Sequence, residues 1–395
     1  MTKKMKFDFS KRADALVGQE MFKILEDAKN LERQGHHVYH LELGDPKIDP
    51  PVDIIEKTIK ALRDGHVGYC PSAGILQLRE KMAVHFSTKS RKLVKANIAI
   101  SPANFLISQI LDIVCDQKDR VALFVPCFPT YLAATKYLRL PVRAIALAST
   151  EGFQLTRRAI DRALEAHPKI VIVNSGNNPT GAVYEKEALT YLLKQCEKNH
   201  CWLLSDETYA ELSFQKKYFS LAGYPYPKLI VISSFSKMLA IPAFRIGLAI
   251  ADPSVIEKIV LSSSTFYSCL PLFIQMGVCG GLALVNRFTQ KARKHYGQLT
   301  KECLEIIAQS PSLACIAPQA GFYLFLDIRK TGLDDMGFAR TLLKERRTAV
   351  TPGTSFGCPG YVRASICGHS EDVKKGIANI VSFANQIRKK SFLLI

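Results

Sequence analysis

Seven short runs of β-branched and other apolar residues punctuate the middle of the chain, at 97–101, 121–125, 142–147, 170–173, 202–205, 229–233 and 246–251. Runs this short, bounded by polar or turn-forming positions, read as strands buried on both faces. Between several of them the spacing changes to a helical period. Leu106, Ile110, Ile113 and Val114 share a face within 105–115, and Leu189, Leu192, Leu193 and Cys196 share one within 185–200. Strand and helix in alternation predict an α/β fold, a large domain whose mainly parallel central sheet is sandwiched by helices.

After about residue 283 the alternation stops. A long charged helix is expected from 286 to about 309, then an apolar run at 321–328 and further helices, together a smaller α+β unit. The start of the chain offers a helix at 21–34 and an extended run ending at Leu43-Gly44-Asp45-Pro46. The expected division is an N-terminal arm and part of the small domain at 1–45, the large domain at 46–283, and the remainder of the small domain at 284–395, so that both chain ends build the smaller unit.

Composition narrows the class. The apolar segments are short and interrupted, below the roughly 20 residues a bilayer span needs, so no membrane partner is expected. The basic opening, Met1 to Lys6, is not followed by an apolar segment, which argues against secretion and for a cytoplasmic protein. Eleven cysteines are scattered singly with no Cys-x-x-Cys pair, as suits reduced thiols. His36, His37 and His40 would split between two faces of an extended stretch, so no metal is expected. A charge of +18 raises the question of nucleic acid, but the cations are spread among acids with no binding module, which reads as a solvated basic surface.

In an open α/β sheet, ligands bind at the carboxyl ends of the strands. Three polar constellations fall there: Asn174-Ser175-Gly176-Asn177-Asn178-Pro179-Thr180-Gly181, Asp206-Glu207-Thr208-Tyr209 and Ser234-Phe235-Ser236-Lys237. Singly each is weak, since Asn-Pro-Thr-Gly is a good turn and a lone lysine is usually solvated. Their order and joint placement, with Arg245 and with Arg363 in Tyr-Val-Arg-Ala-Ser, resembles the signature of the fold type I pyridoxal-phosphate-dependent enzymes, class I/II, of the aspartate aminotransferase superfamily. Further segments fit that resemblance: Leu43-Gly44-Asp45-Pro46, Gly68-Tyr69-Cys70-Pro71-Ser72-Ala73-Gly74, Pro126-Cys127-Phe128-Pro129-Thr130-Tyr131, Gly321-Phe322-Tyr323 and Pro352-Gly353-Thr354-Ser355-Phe356-Gly357.

The resemblance implies pyridoxal 5'-phosphate as cofactor and a role for each residue. Lys237 would hold the cofactor covalently, a task for an amine tuned by burial and nearby positive charge. Asp206 would keep the ring nitrogen protonated, and Asn178 and Tyr209 would donate to the ring's phenolic oxygen. Ser234, Ser236, Arg245 and the amides of Ala103 and Asn104 at a helix start would hold the phosphate. Phe128 would stack on the ring, and Tyr69 would reach the phosphate of a partner subunit in a homodimer. Arg363 would grip the substrate carboxylate with both guanidinium nitrogens, beside Gly44, Asn178 and Phe322.

Transfer of an amino group between an amino acid and a 2-oxo acid by ping-pong chemistry is the expected activity. The same residues serve β-lyases, decarboxylases, racemases and cyclases of this fold, and the basic charge alone suggests a non-enzymatic regulatory alternative. Phe105 stands where some acid-specific members have a lysine. With Phe128, Phe266, Tyr267 and Phe322 it predicts a preference for neutral or aromatic substrates.

Overall fold

The computed structural model describes residues 8–392, so the basic opening at 1–7 lies outside the described residues. All seven runs form strands of one sheet: β1 Ile98–Ser101, β2 Val121–Val125, β3 Val142–Ala146, β4 Ile170–Asn174, β5 Trp202–Asp206, β6 Leu229–Ser234 and β7 Gly247–Ile250. Their order across the sheet is β1-β7-β6-β5-β4-β2-β3. Six strands point the same way, whereas β7 is antiparallel to both its neighbours, β1 and β6. The connection between β6 and β7, residues 235–246, carries the short helix Phe235–Met238 and returns the chain antiparallel.

Most of these strands are buried on both faces, which is why they read as continuous apolar runs. The exception is β3, exposed at Val142, Arg143, Ala144 and Ala146; it is an edge strand, and Arg143 there disfavours pairing with another chain. Helix Ala103–Val114 covers one face through Leu106, Ile107, Ile110, Leu111 and Val114, and helix Lys186–Lys198 covers the other through Leu189, Leu192, Leu193 and Cys196.

Beyond this sheet, strand Tyr323–Asp327 pairs antiparallel with Tyr361–Ser365, which also pairs with Thr351–Pro352. Helices Val285–Ile307, Asp335–Arg346 and Ser370–Phe392 pack on them around a second core that includes Leu326, Phe338, Leu342, Ile377 and Phe383. The chain's start joins this region. Tyr39–His40 pairs parallel with Thr348–Ala349, and Ile24 and Ala28 of helix Glu20–Arg33 pack on Leu343 and Ala349.

One helical stretch, Leu272–Ile307, is long and apolar enough by length and composition to cross a bilayer, which corrects the expectation of only short apolar segments. Its first part packs closely on helix Val52–Arg63: a Cβ at Gly277 would meet Thr58 Oγ1 at 1.9 Å. Among the described residues no cluster of His, Cys, Asp or Glu is arranged to hold a metal. His40 instead pairs with Glu42 at 2.8 Å and Glu32 at 3.0 Å.

Candidate active site

The carboxyl ends of β4, β5 and β6 open onto a cavity of about 380 Å³. Asn174 ends β4 in register with Asp206 at the end of β5. Its amide nitrogen donates to the Asp206 carbonyl at 2.9 Å, and its Oδ1 accepts the Asn178 backbone N–H at 2.9 Å. Asn177 Oδ1 accepts from the Thr180 N–H and hydroxyl, an Asx-type turn that brings Asn178 to the cavity wall.

Asp206 is buried. Its Oδ2 accepts the Tyr131 hydroxyl at 2.7 Å and its Oδ1 the Thr208 N–H at 3.0 Å. Burial raises its carboxyl pKa, and these hydrogen bonds pull it back. The next carboxylate, Glu207, faces away into the protein, where it accepts from Ser205, Ser220 and the Leu221 N–H, and burial pushes its pKa up to about 7. Neighbouring acids in one sequence pair thus have separate tasks: one lines the cavity, the other fastens the 220–221 loop.

Lys237 sits on the short helix Phe235–Met238, whose start is capped by the Ser234 hydroxyl accepting the Ser236 N–H at 3.2 Å. The lysine Nζ donates to the Gly44 carbonyl. Burial lowers its pKa to about 8; Cys367 and Asp45 oppose this, while the positive charges of Arg363 and Arg245 reinforce it. An amine so placed is about one-tenth neutral at pH 7, far more than an ordinary lysine, and the neutral form is what nucleophilic attack requires.

Arg363 is fully buried, paired in register with Phe325 and with Thr351. Its guanidinium lies 4.4 Å from the Tyr323 ring centroid and 4.9 Å from that of Phe356. It donates to Asn178 Oδ1 at 3.1 Å, to Thr351 Oγ1 at 3.2 Å and to the Glu42 carbonyl. Its Nε is buried without a partner, a donor that a carboxylate ligand would satisfy.

A third group of donors gathers where helix Ala103–Val114 begins. Gly247 lets β7 lie against that helix, since a Cβ there would sit 2.9 Å from the Ala103 Cβ and 2.6 Å from the Ser233 carbonyl. Ala103, Asn104, Ser234, Ser236 and Arg245 all line the cavity. Arg245 has a left-handed backbone, φ +54°, and donates to the Pro242 carbonyl at 2.9 Å.

Lys237, Asp206, Tyr209, Asn178, Ser234, Ser236, Arg245, Phe128, Ala103, Asn104, Arg363 and Gly44 are therefore brought together. Two residues are not among them. Tyr69 is 90% exposed on its own loop, and Phe322 is buried among Tyr209, Tyr296 and Tyr323, so the neighbouring Tyr323 faces the cavity instead. The expected aromatic wall also changes. Phe105 packs edge-on with Phe266 and Tyr267 outside the cavity. The sequence reading missed Gln19, Met21 and Phe22, which reach the cavity from the N-terminal segment, and the partnership of Tyr131 with Asp206.

An amine of lowered pKa, a buried carboxylate, an unpartnered guanidinium N–H and a cluster of hydroxyl, amide and guanidinium donors fit pyridoxal 5'-phosphate with an amino acid beside it. Comparison with known proteins agrees. The sequence pattern of the family described as aminotransferase class I and II matches residues 36–380. The chain is 30% identical to (5-formylfuran-3-yl)methyl phosphate transaminase of Methanocaldococcus jannaschii over 95% of this chain and 100% of that protein. It superposes on Thermus thermophilus aspartate aminotransferase with maleate at a TM-score of 0.91 and 26% identity, covering 96% of this chain and 100% of that one. A Methanococcus jannaschii structure, described as similar in its active site to kynurenine aminotransferases, superposes at 0.86 with 28% identity over 96% of this chain and 100% of that one. The chain belongs to the class I and II aminotransferases, enzymes of the aspartate aminotransferase fold that depend on pyridoxal 5'-phosphate.

Proposed function

We propose that this aminotransferase takes its amino group from neutral amino acids with apolar or aromatic side chains. The observation that carries this is the cavity wall. Met21, Phe22, Leu43, Ile107 and Phe128 supply its apolar surface, and the cations among the described lining residues are Lys237, Arg245 and Arg363. With those three committed to the cofactor and the α-carboxylate, a second substrate carboxylate would be desolvated with no partner, at a cost of several kcal/mol or about a thousandfold in affinity. The activities named for the relatives include aspartate and prephenate, and one structural neighbour is a Thermus thermophilus aspartate aminotransferase tetra mutant complexed with tryptophan. That spread leaves the side-chain wall to decide.

Each residue then has a task. Lys237 attaches the cofactor and, when free, is the base that moves the substrate's α-proton. Asp206 holds the ring nitrogen protonated, Asn178 and Tyr209 donate to the phenolic oxygen, and Phe128 covers the ring. Ser234, Ser236, Arg245 and the amides at Ala103 and Asn104 hold the phosphate. Arg363 fixes the α-carboxylate near Gly44, orienting the bond to be broken. Bound there, pyridoxal phosphate supplies the sink for the electron pair left on the α-carbon. The exposed Tyr69, beside Val67 at 68% exposure, supports a two-fold dimer in which Tyr69 reaches the partner's phosphate site. A fully active monomer in sedimentation at assay concentration contradicts that pairing.

The deciding experiment measures kcat/KM for aspartate, alanine, methionine and phenylalanine with a common 2-oxo acid. Methionine or phenylalanine is expected to lead. An aspartate value tenfold above all others, about 1.4 kcal/mol of transition-state preference, overturns the reading. Release of ammonia without consumption of the 2-oxo acid would point to elimination chemistry instead.

A further inference from the structure

The cavity holds a second tyrosine with no assigned task. The Tyr323 hydroxyl lies 2.9 Å from that of Tyr209, and both side chains are buried. Gly44 makes room for it: a Cβ there would fall 2.0 Å from the Tyr323 hydroxyl oxygen. The face of the same ring carries the Arg363 guanidinium at 4.4 Å. Burial raises both phenol pKa values, so both hydroxyls keep their protons.

Two phenols in contact hold two protons, and only one of those can occupy the bond between them. If Tyr209 donated to Tyr323, it would have nothing left to give to a ligand. If Tyr323 donates to Tyr209, the Tyr209 proton is free to point into the cavity, and accepting a hydrogen bond makes it a stronger donor. We propose that Tyr323 is a positioning residue for amino transfer: its hydroxyl directs the Tyr209 proton toward the cofactor's phenolic oxygen, while its ring holds the Arg363 guanidinium for the substrate carboxylate. The inference rests on the role given to Tyr209 above. Hydroxyl and ring act on different ligands, so they separate experimentally.

The test is a pH titration of the visible absorption of the holoenzyme, whose midpoint reports protonation at the lysine–cofactor linkage. A strong donor at the phenolic oxygen lowers that midpoint by stabilising the oxygen's negative charge. Tyr323→Phe keeps the ring and removes the hydroxyl. It is expected to raise the midpoint by roughly half a pH unit or more, lower kcat severalfold and leave KM for the amino acid within about twofold. Tyr323→Leu, which also removes the ring, is expected to raise that KM about tenfold. In a Tyr209→Phe background, Tyr323→Phe should leave the midpoint where it stands. An unshifted midpoint in Tyr323→Phe, or an equal shift without Tyr209, overturns the proposal. A wild-type enzyme showing no titratable band and no half-reaction with any amino acid would defeat the proposed function itself, an outcome distinct from an unshifted variant of a normal enzyme.

Discussion

The Tyr131 hydroxyl donates to Asp206 Oδ2 at 2.7 Å, joining helix Pro129–Tyr137, which follows β2, to the end of β5 across 75 residues of sequence. The phenol stabilises the ionised form of Asp206, the carboxylate proposed above as partner of the cofactor's ring nitrogen. Tyr131→Phe removes one of the donors that hold Asp206 ionised, leaving those of Thr208, and burial then raises its carboxyl pKa further. Apoenzyme stability should fall by about 1–3 kcal/mol, and kcat by about tenfold, read by denaturant unfolding and steady-state kinetics. Unchanged kcat would show that Asp206 is held ionised by other means.

A lysine pKa lowered to about 8 predicts how fast the apoenzyme takes up its cofactor. Only the neutral amine attacks the aldehyde, so the rate of borohydride-trappable labelling should rise about tenfold per pH unit below this value and flatten above it. Lys237→Ala should abolish labelling and turnover. Labelling of a different lysine in the native protein contradicts the assignment.

Arg363 donates through two nitrogens to three acceptors, with aromatic rings against its guanidinium. Arg363→Lys keeps the charge but loses the planar fork. We expect KM for the amino acid to rise about a hundredfold, with a smaller effect on kcat. Equal KM values in mutant and wild type would remove Arg363 from substrate binding.

His40 bridges Glu32 on the N-terminal helix and the fully buried Glu42, whose carbonyl receives Arg363. The hydrogen bond to Glu42 is the largest cause of its raised pKa; burial works against it, and Glu32 adds to it. A folded pKa above the unfolded value, about 6.5, means that the stabilisation is complete below about pH 6.5 and is lost as pH rises through the folded pKa. His40→Gln should therefore lower the melting temperature by a few degrees near pH 6, with the gap to wild type closing at alkaline pH. A constant gap from pH 6 to pH 9 would show that protonation of His40 contributes nothing.

Much of this was legible in the sequence, because strands buried on both faces appear as apolar runs and ligand-binding residues follow their carboxyl ends. Direction was harder to read: β7 is antiparallel to β6 yet has the same apolar character as the parallel strands, so its run of residues carries no sign of its direction. Phe322 and Tyr323 could not be distinguished by alternation, since both are buried and the following strand is buried on both faces for most of its length. Phe105 pointed away because its rotation on helix Ala103–Val114 is fixed by packing with Phe266 and Tyr267, more than 150 residues distant. The contributions of Gln19, Met21 and Phe22 depend on helix Glu20–Arg33 docking against Leu343 and Ala349, a long-range contact with no local signal.

A cavity lined at one end by Gln19 and at the other by Arg363 has a consequence for biogenesis. The central sheet, complete by Ile250, can assemble while the ribosome still holds the rest of the chain, but the lining lacks Arg363 until residues 351–365 emerge and pair. The part of the cavity that meets the substrate carboxylate is then the last to form, because Arg363 and Tyr323 arrive only with these C-terminal strands.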